Sequence, residues 1–251
     1  MIELNDVSVG YRGKPILSNF SFTVSDGEIC ALLGHNGSGK STLLRAVMGS
    51  LGYTGSIRID GQETGRLSPT RRAKLLSLMP QLMARPSISV YELVSFGRQP
   101  YTGISGILSK SDRQKIDAAI QKTRLEPLAL SRCDRISGGE LQRAYLAMVL
   151  AQDTPNLLFD EPAAHLDARY ERQISDFLLA LKADRRAVLA VLHNINHALS
   201  IADRIIVIDS GKLVFNGNRA EFADRQIAET YFGLRRYTCR DDRGNGAEFY
   251  L

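Results

Sequence analysis

The sequence predicts an α/β fold: a core of mainly parallel sheet with an antiparallel β portion at the N-terminus and an inserted α-helical stretch. Three observations predict it. Residues 27–33, 156–160 and 187–192 are short apolar runs with the length of strands buried on both faces. Apolar residues at helical spacing follow two of those runs (Leu43, Leu44, Val47, Met48; then Tyr170, Ile174, Phe177, Leu178, Leu181), the alternation of a parallel sheet with its helices. From about residue 82 to 152 the pattern changes to helices opened by capping signals.

A chain of 251 residues accommodates one large domain or a core with a subdomain. Hydrophobic residues at 44% and charged residues at 24% are ordinary for a globular protein. No apolar run approaches the ~18 residues needed to cross a bilayer, and the acidic, alternating start Met-Ile-Glu-Leu-Asn-Asp is not a signal peptide. A cytosolic protein is expected. Cys30, Cys133 and Cys239 are odd in number and far apart, without a zinc pattern or a disulfide framework. The net charge is +5, with Arg235, Arg236, Arg240 and Arg243 close together. Asp241 and Asp242 interrupt that cluster and no aromatic-rich nucleic-acid module accompanies it, so it reads as a solvated surface.

Taken in order, residues 2–9 (Ile2, Leu4, then Val7, Val9) and 20–24 alternate as half-buried strands, joined by a turn-rich stretch from Gly10 to Pro15. Tyr11 there is either a platform for a flat base or strand-end packing. The run 27–33 leads into Gly34-His35-Asn36-Gly37-Ser38-Gly39-Lys40-Ser41-Thr42, which fits G-x-x-x-x-G-K-[ST], the phosphate-binding loop of nucleoside triphosphatases. Its glycines let consecutive N–H groups converge on phosphate oxygens at a helix N-terminus. Lys40 reaches the β- and γ-phosphates, and the Ser41 hydroxyl is placed to ligand Mg²⁺.

A strand and turn at 56–61 follow, then a helix with Ser68 as N-cap and Pro69 at its first position. An apolar strand, 76–79, runs into Pro80-Gln81. In the inserted stretch, Ser89 with Glu92 and Ser109 with Asp112 are helix starts, separated by a break at Gly97-Arg98-Gln99-Pro100-Tyr101-Thr102-Gly103. It ends at Ile136-Ser137-Gly138-Gly139-Glu140, which reads either as a well-capped helix or as bare N–H groups left open for an anion. The run 156–159 then ends in Asp160-Glu161, at the strand edge where α/β ligands sit. Asp160 is placed to hold Mg²⁺, and Glu161 to polarise a water. His193, ending the last long apolar run, is either structural or a donor to phosphate. Strands at 204–209 and 212–215 flank a Ser210-Gly211 turn, and a short helix and tail close the chain.

These pieces, in this order, resemble the ATP-binding subunit of ABC transporters, a P-loop NTPase with a RecA-like core, over residues 2 to about 220. The departures are Ile136 and Glu140 in a signature usually written L-S-G-G-Q, His35 where Pro is frequent, and Ala163-Ala164 where Thr-Ser is frequent. The resemblance implies one ABC ATPase domain, with 1–81 and 153–220 as nucleotide-binding core, 82–152 as helical subdomain and 221–251 as C-terminal tail. It also implies site roles. Tyr11 stacks on adenine, residues 34–42 bind phosphates and Mg²⁺, and Gln81 touches Mg²⁺ or the attacking water and couples to the membrane partner. Ser137, Gly138, Gly139 and Glu140 form the signature that clasps the γ-phosphate of ATP held by another copy. Asp160 organises Mg²⁺, Glu161 is the general base, His193 contacts the γ-phosphate and Asp167 communicates across the dimer. ATP and Mg²⁺ are the implied cofactors. The implied partners are a second copy, polytopic permease subunits and, indirectly, a substrate-binding protein, with no nucleic acid. The implied location is peripheral, on the cytoplasmic side of the cell membrane. A finer likeness, in Gly97 to Tyr101 and in His165-Leu166-Asp167, is to the ATPases of importers for iron–siderophore, haem and cobalamin. The rival is a non-transport ABC ATPase with soluble partners; a nucleotide-binding regulator without hydrolysis is disfavoured by Glu161.

Overall fold

The computed structural model describes residues 1–11, 14–103, 106–162, 168–240 and 246–251, with the side chains of residues 11, 168, 169, 239, 240 and 246–248 left aside. The side chain of Tyr11, residues 163–167 with His165, Leu166 and Asp167, the Cys239 and Arg240 side chains, and Asp241, Asp242 and Arg243 therefore lie outside the described residues. No helix among those described is long and apolar enough to cross a membrane.

The elements run β1 (Ile2–Tyr11), β2 (Lys14–Val24), β3 (Ile29–Leu33), α1 (Lys40–Val47), β4 (Tyr53–Ile59), β5 (Gln62–Glu63), α2 (Pro69–Leu75) and β6 (Leu76–Met79). The helical stretch holds α3 (Val90–Ser95), a 3₁₀ turn (Phe96–Tyr101), α4 (Lys110–Lys122) and α5 (Gly138–Gln152). Then come β7 (Asn156–Asp160), α6 (Ala168–Ala183), β8 (Ala187–Val191), α7 (Ile195–Ile201), β9 (Arg204–Asp209) and β10 (Lys212–Gly217). The chain closes with α8 (Arg219–Asp224), α9 (Ile227–Phe232), β11 (Arg236–Arg240) and β12 (Gly246–Tyr250).

Six strands form the central sheet in the order β10-β9-β3-β8-β7-β6, parallel throughout except for β10 against β9. Every residue of β3 and β8 is buried, which is why their sequences lack alternation. A second, antiparallel sheet (β2-β1-β4-β5) packs on one face of this core, with Phe20, Leu43, Val47, Ile57 and Leu158 in a shared apolar layer. Of the stretch from Gly10 to Pro15, expected to be turn-rich, the described residues are strand: Gly10 pairs with Pro15 and Tyr11 with Lys14. Pro15 is tolerated because β2 is an edge strand, where a missing N–H leaves no ladder bond unmade.

The predicted helix starts are present. Ser89, Ser109 and Ser137 each close a capping box with the acid three residues on, and Ser68 caps α2 ahead of Pro69. The inserted stretch begins as irregular chain, with its first helix only at Val90.

The break at 97–103 is mostly helical, and it is a fastening. Arg98 is 4% exposed; its Nε donates to Asp112 Oδ1 (2.8 Å), its Nη1 donates to the Ala151 carbonyl (2.7 Å), and its guanidinium lies 3.8 Å from the Tyr101 ring centre. Tyr101 in turn donates to the Gln152 carbonyl at 3.0 Å. Two carbonyls left open at the C-terminus of α5 are thus satisfied by one short segment.

The C-terminal residues, expected as a short helix and a tail, form two helices and a hairpin folded back onto the core. Phe222 is fully buried, edge-on to Phe215 (5.6 Å) and Tyr250 (6.1 Å).

Candidate functional site

Strand register assembles the site. In the parallel pair β6/β7, Met79 lies opposite Phe159, so Gln81 and Glu161 emerge together at the same edge. In β7/β8, Asp160 lies opposite Val191, which brings His193 to that edge as well. The neighbouring strand β3 ends at Leu33 and delivers residues 34–42 beside them. Thr42, Gln81, Glu161 and His193 line one cleft of about 670 Å³ with Lys40 and Ser41.

The loop turns into α1 at Gly39, whose φ of 108° is open to glycine at little cost. A Cβ there would also meet the Leu17 side chain, so the antiparallel sheet presses directly on the loop. Lys40 Nζ donates to the Gly34 and His35 carbonyls at 2.7 and 2.9 Å. Its burial lowers its pKa, partly offset by the charges of Glu161 and Asp160. Ser38 is 6% exposed, and its hydroxyl has no hydrogen-bond partner among the described residues. Such an orphan suits an incoming oxyanion. Asn36 and Gly37 are exposed on the cleft wall.

Two polar pairs face the loop. Ser41 Oγ donates to Asp160 Oδ1 at 3.2 Å, and Gln81 Nε2 donates to Glu161 Oε2 at 2.7 Å. Glu161 has a φ of 51°, rare for a residue with a side chain, and its N–H donates to the Val191 carbonyl at 3.1 Å. Backbone in this region is a local cost retained where it aims a side chain. Burial raises the Asp160 pKa, helped by the charge of Glu161 and opposed by the Ser41 hydrogen bond and by Lys40.

The donor set fits Mg²⁺. Ser41 and Asp160 offer hard oxygens, and Gln81 shares their cleft. No group of three or more His, Cys, Asp or Glu among the described residues could hold a metal ion, so a cation here would lean on the nucleotide's own oxygens.

The raised Asp160 pKa carries a stability consequence. A carboxylate whose pKa rises on folding stabilises the fold below its unfolded pKa and loses that contribution as pH climbs through the folded value. Asp160→Asn is therefore expected to raise the melting temperature of the nucleotide-free chain at pH 7–8. That gain is expected to disappear below about pH 4, where carboxylates protonate in either state. Thermal melts across pH check both arms.

The signature lies elsewhere. Ser137 and Gly138 are exposed and outside the cleft lining. The Glu140 carboxylate accepts from the Ser137 N–H (2.8 Å) and hydroxyl (2.6 Å), which holds its pKa below the usual range. The capped-helix reading holds, and the two glycines differ in their surroundings. Gly139 is there for packing, because a Cβ would collide with the Tyr170 ring. Gly138 has open space, its nearest neighbour being Arg85 Nη2 at 3.7 Å from a notional Cβ.

Sequence reasoning missed a second set of cleft residues. His197 Nδ1 lies 3.1 Å from Glu171 Oε1 and its Nε2 2.7 Å from Ser175 Oγ, tying α7 to α6. Burial lowers the His197 pKa, against the pull of Glu171. None of these three positions stands out in the sequence, because they meet only when two separate helices pack. His193 itself is exposed and makes no hydrogen bond with another described residue.

Comparison with known proteins identifies the family. The ABC transporter family profile matches residues 17–164. The petrobactin import ATP-binding protein YclP of Bacillus subtilis (strain 168) is 35% identical over 238 residues, covering 93% of each chain. The ferric enterobactin transport ATP-binding protein FepC of Escherichia coli (strain K12) is 34% identical, covering 91% of this chain and 86% of that one. Among solved structures, the dimeric bacterial ABC transporter cassette MJ0796 is 27% identical with a TM-score of 0.77, covering 87% of this chain and 98% of its own. An ABC transporter in an inward-facing conformation has a TM-score of 0.86 over 100% of this chain and 96% of that one; at 21% identity it shows the fold alone. This chain belongs to the ATP-binding, ATP-hydrolysing subunits of ABC transporters.

Proposed function

We propose that the chain energises import of a metal chelate of the iron–siderophore or haem class, by hydrolysing ATP beneath partner membrane subunits. The observation that carries the hydrolytic part is the Gln81–Glu161 hydrogen bond set beside Ser41–Asp160 on the strand edge facing Lys40. Glu161 takes a proton from a water held by Gln81. The water oxygen forms a bond to the γ-phosphorus as the bond to the β,γ-bridging oxygen breaks, giving ADP and phosphate. Lys40 leaves its loop carbonyls for the β- and γ-phosphates, residues 34–42 supply N–H donors, and His193 donates to the γ-phosphate. Mg²⁺, held by Ser41 and Asp160 with Gln81 near it, would neutralise charge on the phosphate oxygens. Tyr11 provides the adenine platform.

The cleft of a single chain lacks the signature, so we read the working unit as two copies. Ser137, Gly138, Gly139 and Glu140 of one copy cover the γ-phosphate held by the other, with Asp167 between them. The dimeric cassettes among the solved relatives support this reading. We also read residues 1–81 and 153–220 as the nucleotide-binding core and 82–152 as the helical unit. Exposed Leu82, Phe96, Ile107 and Leu130 all belong to that helical stretch, and Leu82, 88% exposed, directly follows Gln81. Apolar surface there suits docking of permease subunits, which sets the protein peripherally on the cytoplasmic face of the membrane. The import cargo rests on relatives named for petrobactin, achromobactin, ferric enterobactin and hemin.

Affinity purification of the tagged chain from detergent-solubilised membranes tests the assignment. Polytopic subunits are expected to co-purify, with ATPase activity raised in proteoliposomes by a chelate-loaded binding protein. A stable complex made only of soluble proteins would overturn it.

A further inference from the structure

His35 opens the variable part of the phosphate loop, yet its side chain is engaged outside the loop. Its Nε2–H donates to the Tyr231 carbonyl at 2.6 Å, and its ring centre lies 5.4 Å from that of Phe232, tilted by 40°. Tyr231 and Phe232 form the last turn of α9. The unit that carries α9 is anchored in its own right, through Phe222 among its aromatic neighbours. A further tie comes from α7, where Asn196 Nδ2 donates to the Tyr250 carbonyl (2.9 Å) and Asn196 Oδ1 accepts from the Tyr250 N–H (2.8 Å). The Asn196 amide thus borders β12 as a neighbouring strand's backbone would. A hollow of about 470 Å³ lies between these contacts, lined by Leu33, Gly34, His35, Leu192, His193 and Phe232. This C-terminal unit therefore touches the loop at His35, and its Phe232 shares a hollow with His193 on the other side of the cleft.

We infer that this C-terminal unit positions the phosphate loop, with His35 and Phe232 as the positioning residues. The inference rests on reading residues 34–42 as the site of the ATP phosphates. Lys40 holds the loop from inside by donating to the Gly34 and His35 carbonyls. Arriving phosphate draws Lys40 away, and residues 34 and 35 lose that restraint when the loop most needs its shape. The α9 contact is independent of Lys40 and persists through the exchange. It prepays loop ordering, so its loss falls on nucleotide affinity.

The test uses the full chain, with binding of a fluorescent ATP analogue in Mg²⁺ and steady-state ATPase kinetics. Loss of the ring contact corresponds to about a 3–10-fold rise in Kd and KM for Phe232→Ala, and loss of the ring contact with the hydrogen bond to at least that rise for His35→Ala. Phe232→Ala is expected to keep kcat at saturating ATP within about twofold, since Phe232 touches no reacting group in this reading. The double variant is expected to bind no more weakly than His35→Ala, because that change already breaks both contacts. His35→Gln, which keeps a donor, recovers part of the affinity. Phe232→Leu, which keeps apolar bulk without the ring, shows the affinity loss with an unchanged melting temperature in the absence of nucleotide. Unchanged affinities, or penalties that add fully in the double variant, would overturn the inference. A parent chain that binds no ATP would overturn the phosphate-site reading itself.

Discussion

Glu161→Gln is expected to slow ATP turnover by about 10²–10⁴-fold, the worth of a general base, while ATP still binds. The substitution is close to isosteric and leaves the left-handed backbone at this position as it is. It removes the carboxylate that accepts from Gln81 and that would take the proton from water. Because Lys40, Ser41 and Asp160 are untouched, nucleotide affinity is expected within a few-fold of the parent. Single-turnover hydrolysis beside equilibrium binding separates the two. Near-normal turnover would remove Glu161 from the role.

Ser137→Arg is expected to abolish ATP-driven dimerisation while leaving nucleotide binding by the single chain intact. Ser137 and Gly138 are exposed at the start of α5 and outside the cleft of their own chain, so a bulky cation there meets only a partner. Size-exclusion chromatography with ATP in a Glu161→Gln background reads the effect, and an unchanged dimer peak would sink the composite site. Ser137→Arg also deletes an N-cap worth ~1 kcal/mol. Gly138→Asp supplies the control: it keeps the cap, faces open space, and sets a carboxylate against the incoming γ-phosphate. Both variants are expected to fail in dimerisation.

The strands that carry the site were legible because burial on both faces leaves unbroken apolar runs, and the residues that end them follow directly. Gln81, Asp160, Glu161 and His193 stand just past the ends of such runs, and the register of β6, β7 and β8 places them on one edge. Helix starts were legible because Ser and Glu three apart satisfy each other locally. Contacts between distant segments left no such trace. Nothing near His35 announces Phe232, nothing near Asn196 announces Tyr250, and the pairing of Glu171 with His197 needs two helices whose packing is a property of the whole core. The C-terminal residues read as a tail for the same reason. Their burial rests on Phe215, Phe222 and Tyr250 meeting in space.

The Arg98 fastening changes what Gly97 to Tyr101 can report. On the page of the sequence those residues pointed to a class of cargo. In the fold they bolt one end of a rod: α5 runs 15 residues, about 22 Å, from its N-cap at Ser137, with Gly139 packed on Tyr170, to the carbonyls that Arg98 and Tyr101 grip. The helix is buried along its length, at Leu141, Ala144, Ala147 and Ala151 among others, so the grip at its C-terminal end helps set where its exposed start at Ser137 stands. What the segment encodes in this fold is the seat of one helix end.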